Sequence, residues 1–245
     1  FVQEQLAYND RLFLTLGMRI DGNSAFGEDF GIESYPKAGL SWVISEEPFW
    51  NFGAINQMRI RAAFGTSGLQ PGAFDAQRTW QPSSGIENNQ AVLPLNLGNK
   101  DLKPERSQEV EFGAEFTAFN DLLGVEIVYY NQKTTDALLP VSLSPSLGFL
   151  QSQLTNIGGM ESKGLELSGN WTVFKKNAVS VKLSGSYSKI DQTVTDMAGV
   201  PPFRIEGRRR WSQIKEGYQP GAIIAPVHDP SNPWSTSVPI DQVTH

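Results

Sequence analysis

The chain has 245 residues, of which 26 are acidic, 20 are basic and none is cysteine. The net charge of −6 argues against binding to nucleic acid, and without cysteine neither a disulfide framework nor a cysteine metal site can form. No apolar run approaches the length of about 18 residues that marks a membrane-spanning helix, but a mean hydropathy of −0.30 is also compatible with membrane-spanning strands, which are half polar.

Apolar and polar residues alternate with period two in several segments. The first, residues 11–21, has Arg19 on its polar face, and its other face carries Leu12, Leu14, Leu16, Met18 and Ile20. The pattern recurs at residues 35–44, 57–65, 109–118, 123–132, 164–173 and 179–188. It predicts amphipathic β-strands, and the serine-rich polar side of the last segment favours a wet interior over a packed core.

Two consecutive segments carry opposite charges on their polar faces. Arg59 and Arg61 lie on one strand, and Glu109, Glu111 and Glu115 lie on the next. If the two strands pair antiparallel, the charges meet on the inner side of the sheet. They form either a charged lumen wall that tunes the passage of polar cargo or, as we favour, a ladder of cross-strand ion pairs that neutralises the interior. With Arg19, these residues are the lumen-facing candidates.

The connections between the segments differ strongly in length. Residues 9–10, 120–121 and 175–177 predict tight hairpin turns, whereas 22–34, 68–103 and 134–159 are long and rich in Gly, Pro, Ser and Asn. Short turns at one end and long loops at the other are typical of outer-membrane barrels. Residues 45–52 predict a longer turn at the short-turn end, with a helical turn capped by Ser45. The aromatic residues near that end predict an interfacial girdle, formed by Trp42, Phe49, Trp50, Phe52 and Trp171.

The long loops also carry aromatic residues, namely Phe26, Phe30, Phe74, Trp80, Phe149 and Trp234. At the extracellular mouth such rings can stack on sugars or pack against a lid protein, and packing among the loops themselves is an equally good interpretation. We expect no metal site and no catalytic site, because the two histidines, His228 and His245, lack a set of carboxylates at metal-binding spacing.

Five runs, taken in order, resemble the SusC/RagA-type TonB-linked outer-membrane transporters. They are RIDGNSAFG at 19–27, YPKAGLSWVISEEPF at 35–49, LKPERSQE at 102–109, YYNQKTTD at 129–136 and NIGGMESKGLE at 156–166. The likeness extends over roughly residues 10–220. It implies a barrel of roughly 22 strands closed around an N-terminal plug domain, of which this chain holds about eight strands and no plug.

The resemblance also implies function and partners. We expect an all-β fold, an antiparallel transmembrane β-barrel segment formed by residues 1–225, followed by a loop or truncated end at 226–245. The implied function is TonB-dependent import of large nutrients such as oligosaccharides or peptides, without a cofactor. The implied partners are a SusD-like surface lipoprotein acting as a lid, the TonB complex reached through the absent plug domain, and outer-membrane lipid. The alternatives are a soluble β-sandwich binding module and a structural outer-membrane barrel that does not transport.

Overall fold

The computed structural model describes residues 1–23, 31–86, 89–141, 143–149, 151–176, 179–204 and 212–223, and the backbone of 226–227 and 238–239. The main strands in chain order are β1 (Val2–Tyr8), β2 (Leu12–Gly22), β3 (Ile32–Val43), β4 (Ile55–Leu69), β5 (Thr79–Ser84), β6 (Gln90–Asn96), β7 (Glu105–Ala118), β8 (Leu123–Thr135), β9 (Leu138–Val141), β10 (Gln153–Asn156), β11 (Gly159–Lys176) and β12 (Val179–Asp196). Shorter strands follow: β13 (Phe203–Arg204), β14 (Ser212–Ile214), β15 (Ala222–Ile223), β16 (Pro226–Val227) and β17 (Val238–Pro239).

Eight of these strands form one antiparallel sheet in the order β1-β2-β3-β4-β7-β8-β11-β12. The sheet is open, since β1 and β12 lie at its two edges and do not pair with each other. The predicted all-β, antiparallel fold is confirmed. Within the described residues, no helix is long and apolar enough to cross a membrane.

The connections at the two ends of the sheet are as different as the sequence predicts. The tight turns at Asn9-Asp10 and Asn120-Asp121 are confirmed, and all four residues adopt positive φ, which Asn and Asp tolerate better than most residues. The predicted turn at 175–177 is wrong at its first two positions, because Lys175 and Lys176 belong to β11; residue 177 lies outside the described residues. At the opposite end, the long loop between β4 and β7 contains the hairpin β5–β6, and the loop after β8 contains the hairpin β9–β10.

The turn after β3 differs in detail from the prediction. A 3₁₀ helix spans Ile44–Glu46, so Ser45 lies inside the helix and cannot cap it. The residue at the N-cap position is Val43, which has no side-chain oxygen, and the Ser45 hydroxyl is buried without a hydrogen-bond partner. The predicted cap is therefore wrong, although a short helical turn is present.

Most strands extend further toward the long loops than the alternation predicts. β12 continues to Asp196 rather than ending at residue 188, β4 continues to Leu69, and β11 begins at Gly159. Beyond the apolar part of the sheet the outward residues are mostly polar, so the period-two pattern stops although the hydrogen-bonded pairing of the strands continues. β1 is absent from the predicted strands because Glu4 interrupts its outward apolar residues.

One face of the sheet is apolar from β2 to β12. A single row of cross-strand partners crosses seven strands, namely Leu12, Trp42, Ile60, Ala114, Ile127, Leu167 and Tyr187. These side chains are not covered by a second layer; Phe112, in the next row, is 56% exposed. We call this surface the apolar face and the opposite surface the polar face.

The upper limit of the apolar face runs obliquely across the strands. The last apolar residue before the long loops is Ile20 on β2, Val110 on β7 and Tyr187 on β12. Tyr187 shares its row of cross-strand partners with Leu12, and Ile20 lies eight residues beyond Leu12 on β2. Counted along these rows, the limit therefore falls by eight residues between β2 and β12. A level boundary drifts in this way when strands are tilted by about 35–45°, as in closed barrels.

Candidate functional site: the polar face of the sheet

An ion-pair network crosses three neighbouring strands of the polar face. Arg59 on β4 pairs with Glu115 on β7, with Nη1 3.0 Å from Oε1. Arg61 lies 3.1 Å from Glu111 through Nε and 2.8 Å from Glu126 on β8 through Nη1. Its Nη1 also approaches Glu115 at 3.9 Å. Two arginines thus face three carboxylates, and the network leaves about one net negative charge.

Gly113 explains how Arg61 reaches a strand that is not its neighbour. The two residues are directly opposite each other in the β4–β7 pair. A Cβ atom at Gly113 would lie 2.6 Å from Nε of Arg61, so the guanidinium lies over the glycine and crosses β7 toward Glu126. The pairs are only partly exposed, and pairs shared among several partners are held more firmly than isolated surface pairs.

The remaining lumen-facing candidates lie apart from this network. Arg19 is on the polar face of β2 and pairs locally with Asp21, with Nε 2.7 Å from Oδ2. Glu109 is also on the polar face, but within the described chain it forms no ion pair. Glu109 and Lys37 line a cavity of about 440 Å³. Gly39, Ala63 and Gly65 also line this cavity. Glu126 was not among the predicted site residues, although the alternation in 123–132 places it on the polar side.

The loops above the polar face are joined to each other. Asn156 on β10 accepts a hydrogen bond from the Lys103 backbone N–H at 2.8 Å, and its amide donates to the carbonyls of Lys103 at 2.7 Å and Asp136 at 2.9 Å. Asn99 donates to the Leu154 carbonyl at 3.2 Å. Leu102 and Ile157 are almost fully buried nearby. The two long loops therefore form one connected layer.

The predicted loop aromatics have different environments. Phe149 is only 6% exposed and packs against Trp80, with ring centroids 6.1 Å apart, while the Arg78 guanidinium lies 5.7 Å from its centroid. Trp80 is 53% exposed and Phe74 is also exposed. Phe26, Phe30 and Trp234 lie outside the described residues. Loop packing thus accounts for Phe149, and two accessible rings remain.

Aromatic residues also gather at the short-turn end. Trp42 contacts Phe49 edge-on at 6.3 Å, and its indole N–H donates to Glu47 Oε1 at 3.0 Å. Trp50 and Phe52 lie 4.8 Å apart. Rings with one apolar side and one polar tip are suited to a membrane–water interface. Among the described residues, no three His, Asp or Glu side chains are arranged to hold a metal ion.

Comparison with known proteins identifies the family. The sequence model described as "TonB dependent receptor-like, beta-barrel" matches residues 1–237. The chain belongs to the TonB-dependent receptor β-barrel family. The TonB-dependent receptor P26 of Formosa agariphila is 35% identical over 201 residues, which cover 79% of this chain and 20% of that protein. SusC of Bacteroides thetaiotaomicron is 28% identical over 172 residues, which cover 66% of this chain and 17% of SusC.

Solved structures agree with this assignment at the level of the fold. The RagAB peptide transporter matches 92% of this chain with a TM-score of 0.81 at 22% identity, and 25% of that chain is covered. The RagAB peptide importer in its closed-closed state matches 99% with a TM-score of 0.82 at 20% identity. The SusC/RagA-type resemblance is confirmed, and the protein is an outer-membrane β-barrel protein. This chain spans about a fifth of the length of these curated relatives, both of which are TonB-dependent receptors.

Proposed function

We propose that this chain is part of the barrel wall of a TonB-dependent importer of large polar solutes, such as oligosaccharides or peptides. One observation carries the proposal: the two faces of the sheet have opposite character. The exposed apolar face requires lipid, because burying it is the only way to remove so much apolar surface from water. The polar face carries paired charges, which could not face lipid without a cost of about 2–4 kcal/mol for each arginine at the midplane.

The sandwich alternative does not fit this surface. In a β-sandwich the apolar faces of two sheets pack against each other about 10 Å apart. Here one eight-stranded sheet leaves its apolar face exposed, and no second sheet of comparable size is present in the described residues. A structural barrel without transport remains the competing function. The likeness to the RagAB peptide transporter and importer favours transport.

The charges of the polar face favour uncharged or zwitterionic cargo. Arg59 and Arg61 are both engaged by carboxylates, so neither is free to hold a strongly anionic solute. The wall at this level is hydrophilic with little net charge, and such a surface attracts solutes through hydrogen bonds rather than through a long-range field. Oligosaccharides and peptides both have this chemistry. The proposal contains no catalytic step and no cofactor.

The proposed partners follow from the two ends of the sheet. A SusD-like surface lipoprotein would cover the long loops, where Trp80 and Phe74 present accessible aromatic rings of the kind enriched in protein interfaces. The TonB complex would act through a plug domain that lies outside this chain.

Energised uptake by cells tests the import proposal. Cells with and without the gene are supplied with fluorescein-labelled peptide digests and, separately, labelled polysaccharide digests, each with and without a protonophore. We expect uptake of one class to be lost on gene deletion and on protonophore addition, and to return with the full-length gene. Unchanged uptake of both classes after deletion would reject import and leave the structural barrel.

A further inference from the structure

Charged residues appear directly above the apolar face on only part of the sheet. On β2, β3, β4 and β7 the first outward residue above the upper limit is uncharged, namely Gly22, Ser34, Thr66 and Gln108. On β11 and β12 the corresponding residues are Lys163, next to Leu165, and Lys189, next to Tyr187. On β8 and β7 a cation follows one outward position higher, Lys133 above Asn131 and Arg106 above Gln108, and Arg106 pairs with Glu33. Three adjacent strands therefore carry lysines at the edge of the hydrocarbon region.

Two of the lysines share one carboxylate on the same face, and the third pairs with a carboxylate of its own strand. Lys163 Nζ lies 3.2 Å from Glu161 Oε2, and Lys133 Nζ lies 3.9 Å from Glu161 Oε1. Asn131 donates to Glu161 Oε1 at 3.2 Å. Lys189 Nζ lies 3.3 Å from Asp191 Oδ2. Glu161 thus positions two ammonium groups on either side of one carboxylate, with the third on the next strand.

The ammonium groups keep donors available for another ligand. The side chains of Lys133, Lys163 and Lys189 are 65%, 48% and 61% exposed. Each ammonium has three N–H donors, and a single carboxylate neighbour uses only part of them. The three lysines exceed the two carboxylates among them by one positive charge. The next carboxylates, Asp136 and Asp196, lie further up, at the ends of β8 and β12.

We propose that Lys133, Lys163 and Lys189 bind the phosphate of a phosphorylated glycolipid in the outer leaflet. A lipid whose acyl chains lie against Leu165, Leu167 and Tyr187 places its headgroup at the level where these lysines begin. A lysine ammonium is a compact point charge that binds phosphate well, and its long stem can lie along apolar surface while the charge reaches the headgroup. The proposal depends on the position of the wall in the membrane and not on import.

Lipid titration of the full-length protein in non-ionic detergent tests the site. Bis-phosphorylated lipid A, its dephosphorylated form and inorganic phosphate are added separately, and bound lipid is counted by native mass spectrometry. The triple variant K133Q/K163Q/K189Q should weaken binding of bis-phosphorylated lipid A by about tenfold or more. The control K37Q/K182Q removes two lysines from the polar face and should leave binding unchanged. Dephosphorylated lipid A should bind the native protein as weakly as the phosphorylated form binds the triple variant.

A second variant keeps the test informative if the triple variant folds poorly. Asp191 is exposed and competes with phosphate for Lys189, so D191N should tighten binding of bis-phosphorylated lipid A by a few-fold while the fold is unchanged. Equal binding of both lipid A forms to the native protein, or no change in D191N and in a folded triple variant, would overturn the proposal. Binding of inorganic phosphate that displaces the lipid at equal concentration would assign the site to free phosphate instead.

Discussion

Gly68 occupies a position on β4 where no side chain fits. A Cβ atom there would overlap the hydroxyl of Tyr35 and lie 2.6 Å from its Cζ, and the Tyr35 ring is buried. The hydrogen-bonded register of β3 and β4 ends at Lys37 and Gly65, so the Tyr35 ring lies where the two strands separate. The glycine is therefore needed for packing rather than for an unusual backbone angle.

We predict that G68A destabilises the full-length protein by about 1–3 kcal/mol, because the rigid, buried ring cannot move aside without strain. G65A is the matched control on the same strand, since nothing lies within 4 Å of a Cβ at that position. Urea titration of the refolded protein in lipid vesicles measures both variants. G68A should cost much less in a Y35A background, and equal losses for G68A and G65A would contradict the packing argument.

Sequence alternation predicts the face on which a charged side chain lies, but not all of its partners. The alternation places Arg59, Arg61, Glu111 and Glu115 on one face, where the structure pairs them. It does not reveal the contact of Arg61 with Glu126, because that contact requires both the pairing of β7 with β8 and the absence of a side chain at Gly113. A contact between side chains two strands apart depends on the registers of both strand pairs. The sequence pattern of a single strand does not contain those registers.

The loop hairpins are elements whose structure depends on contacts between distant segments. Residues 68–103 and 134–159 are rich in turn-forming residues, and neither shows a clear alternation. Their hairpins are joined by the Asn156 amide, which holds backbone groups of Lys103 and Asp136. The parts of the strands that form the apolar face could be predicted, because lipid contact imposes the alternating pattern there. Above the apolar face that constraint ends, so the loop hairpins and the upper strand ends could not be predicted from the sequence.

We predict that N156A loosens both long loops without weakening the eight-stranded sheet. The variant removes three hydrogen bonds, two of which join Asn156 to Lys103 of the other loop, and each typically contributes about 1 kcal/mol. Hydrogen exchange of the full-length protein should speed up in residues 98–104 and 137–156, with unchanged protection in β7, β8 and β11. N96A is the control, because the Asn96 amide holds only carbonyls of its own loop, at 74, 75 and 77. Unchanged exchange in 137–156 would show that Asn156 does not join the loops.

At the scale of the whole molecule, the oblique upper limit of the apolar face adds information that the sequence does not contain. Each strand alone shows only which of its residues are apolar. The registers align Leu12 with Tyr187, and only then does the limit become a line that falls by eight residues from β2 to β12. The tilt of the strands in the membrane follows from this line. It supports a curved wall in lipid, since a flat sheet in a soluble protein has no reason to keep such a boundary.

Two adjacent alanines on β4 can test which face meets lipid. Ala62 lies on the apolar face between Leu40 and Phe112, and Ala63 lies on the polar face between Gly39 and Glu111. A62R should destabilise the full-length protein in lipid vesicles by about 2–4 kcal/mol, because it places a charge near the middle of the hydrocarbon region. A63R should cost less than about 1 kcal/mol, because its side chain extends into the aqueous interior beside Glu111. Both variants add the same side chain one residue apart, so their difference reports the face and not the bulk of arginine. Equal costs for the two would show that neither face is selectively in lipid and would remove the basis for a membrane-spanning wall.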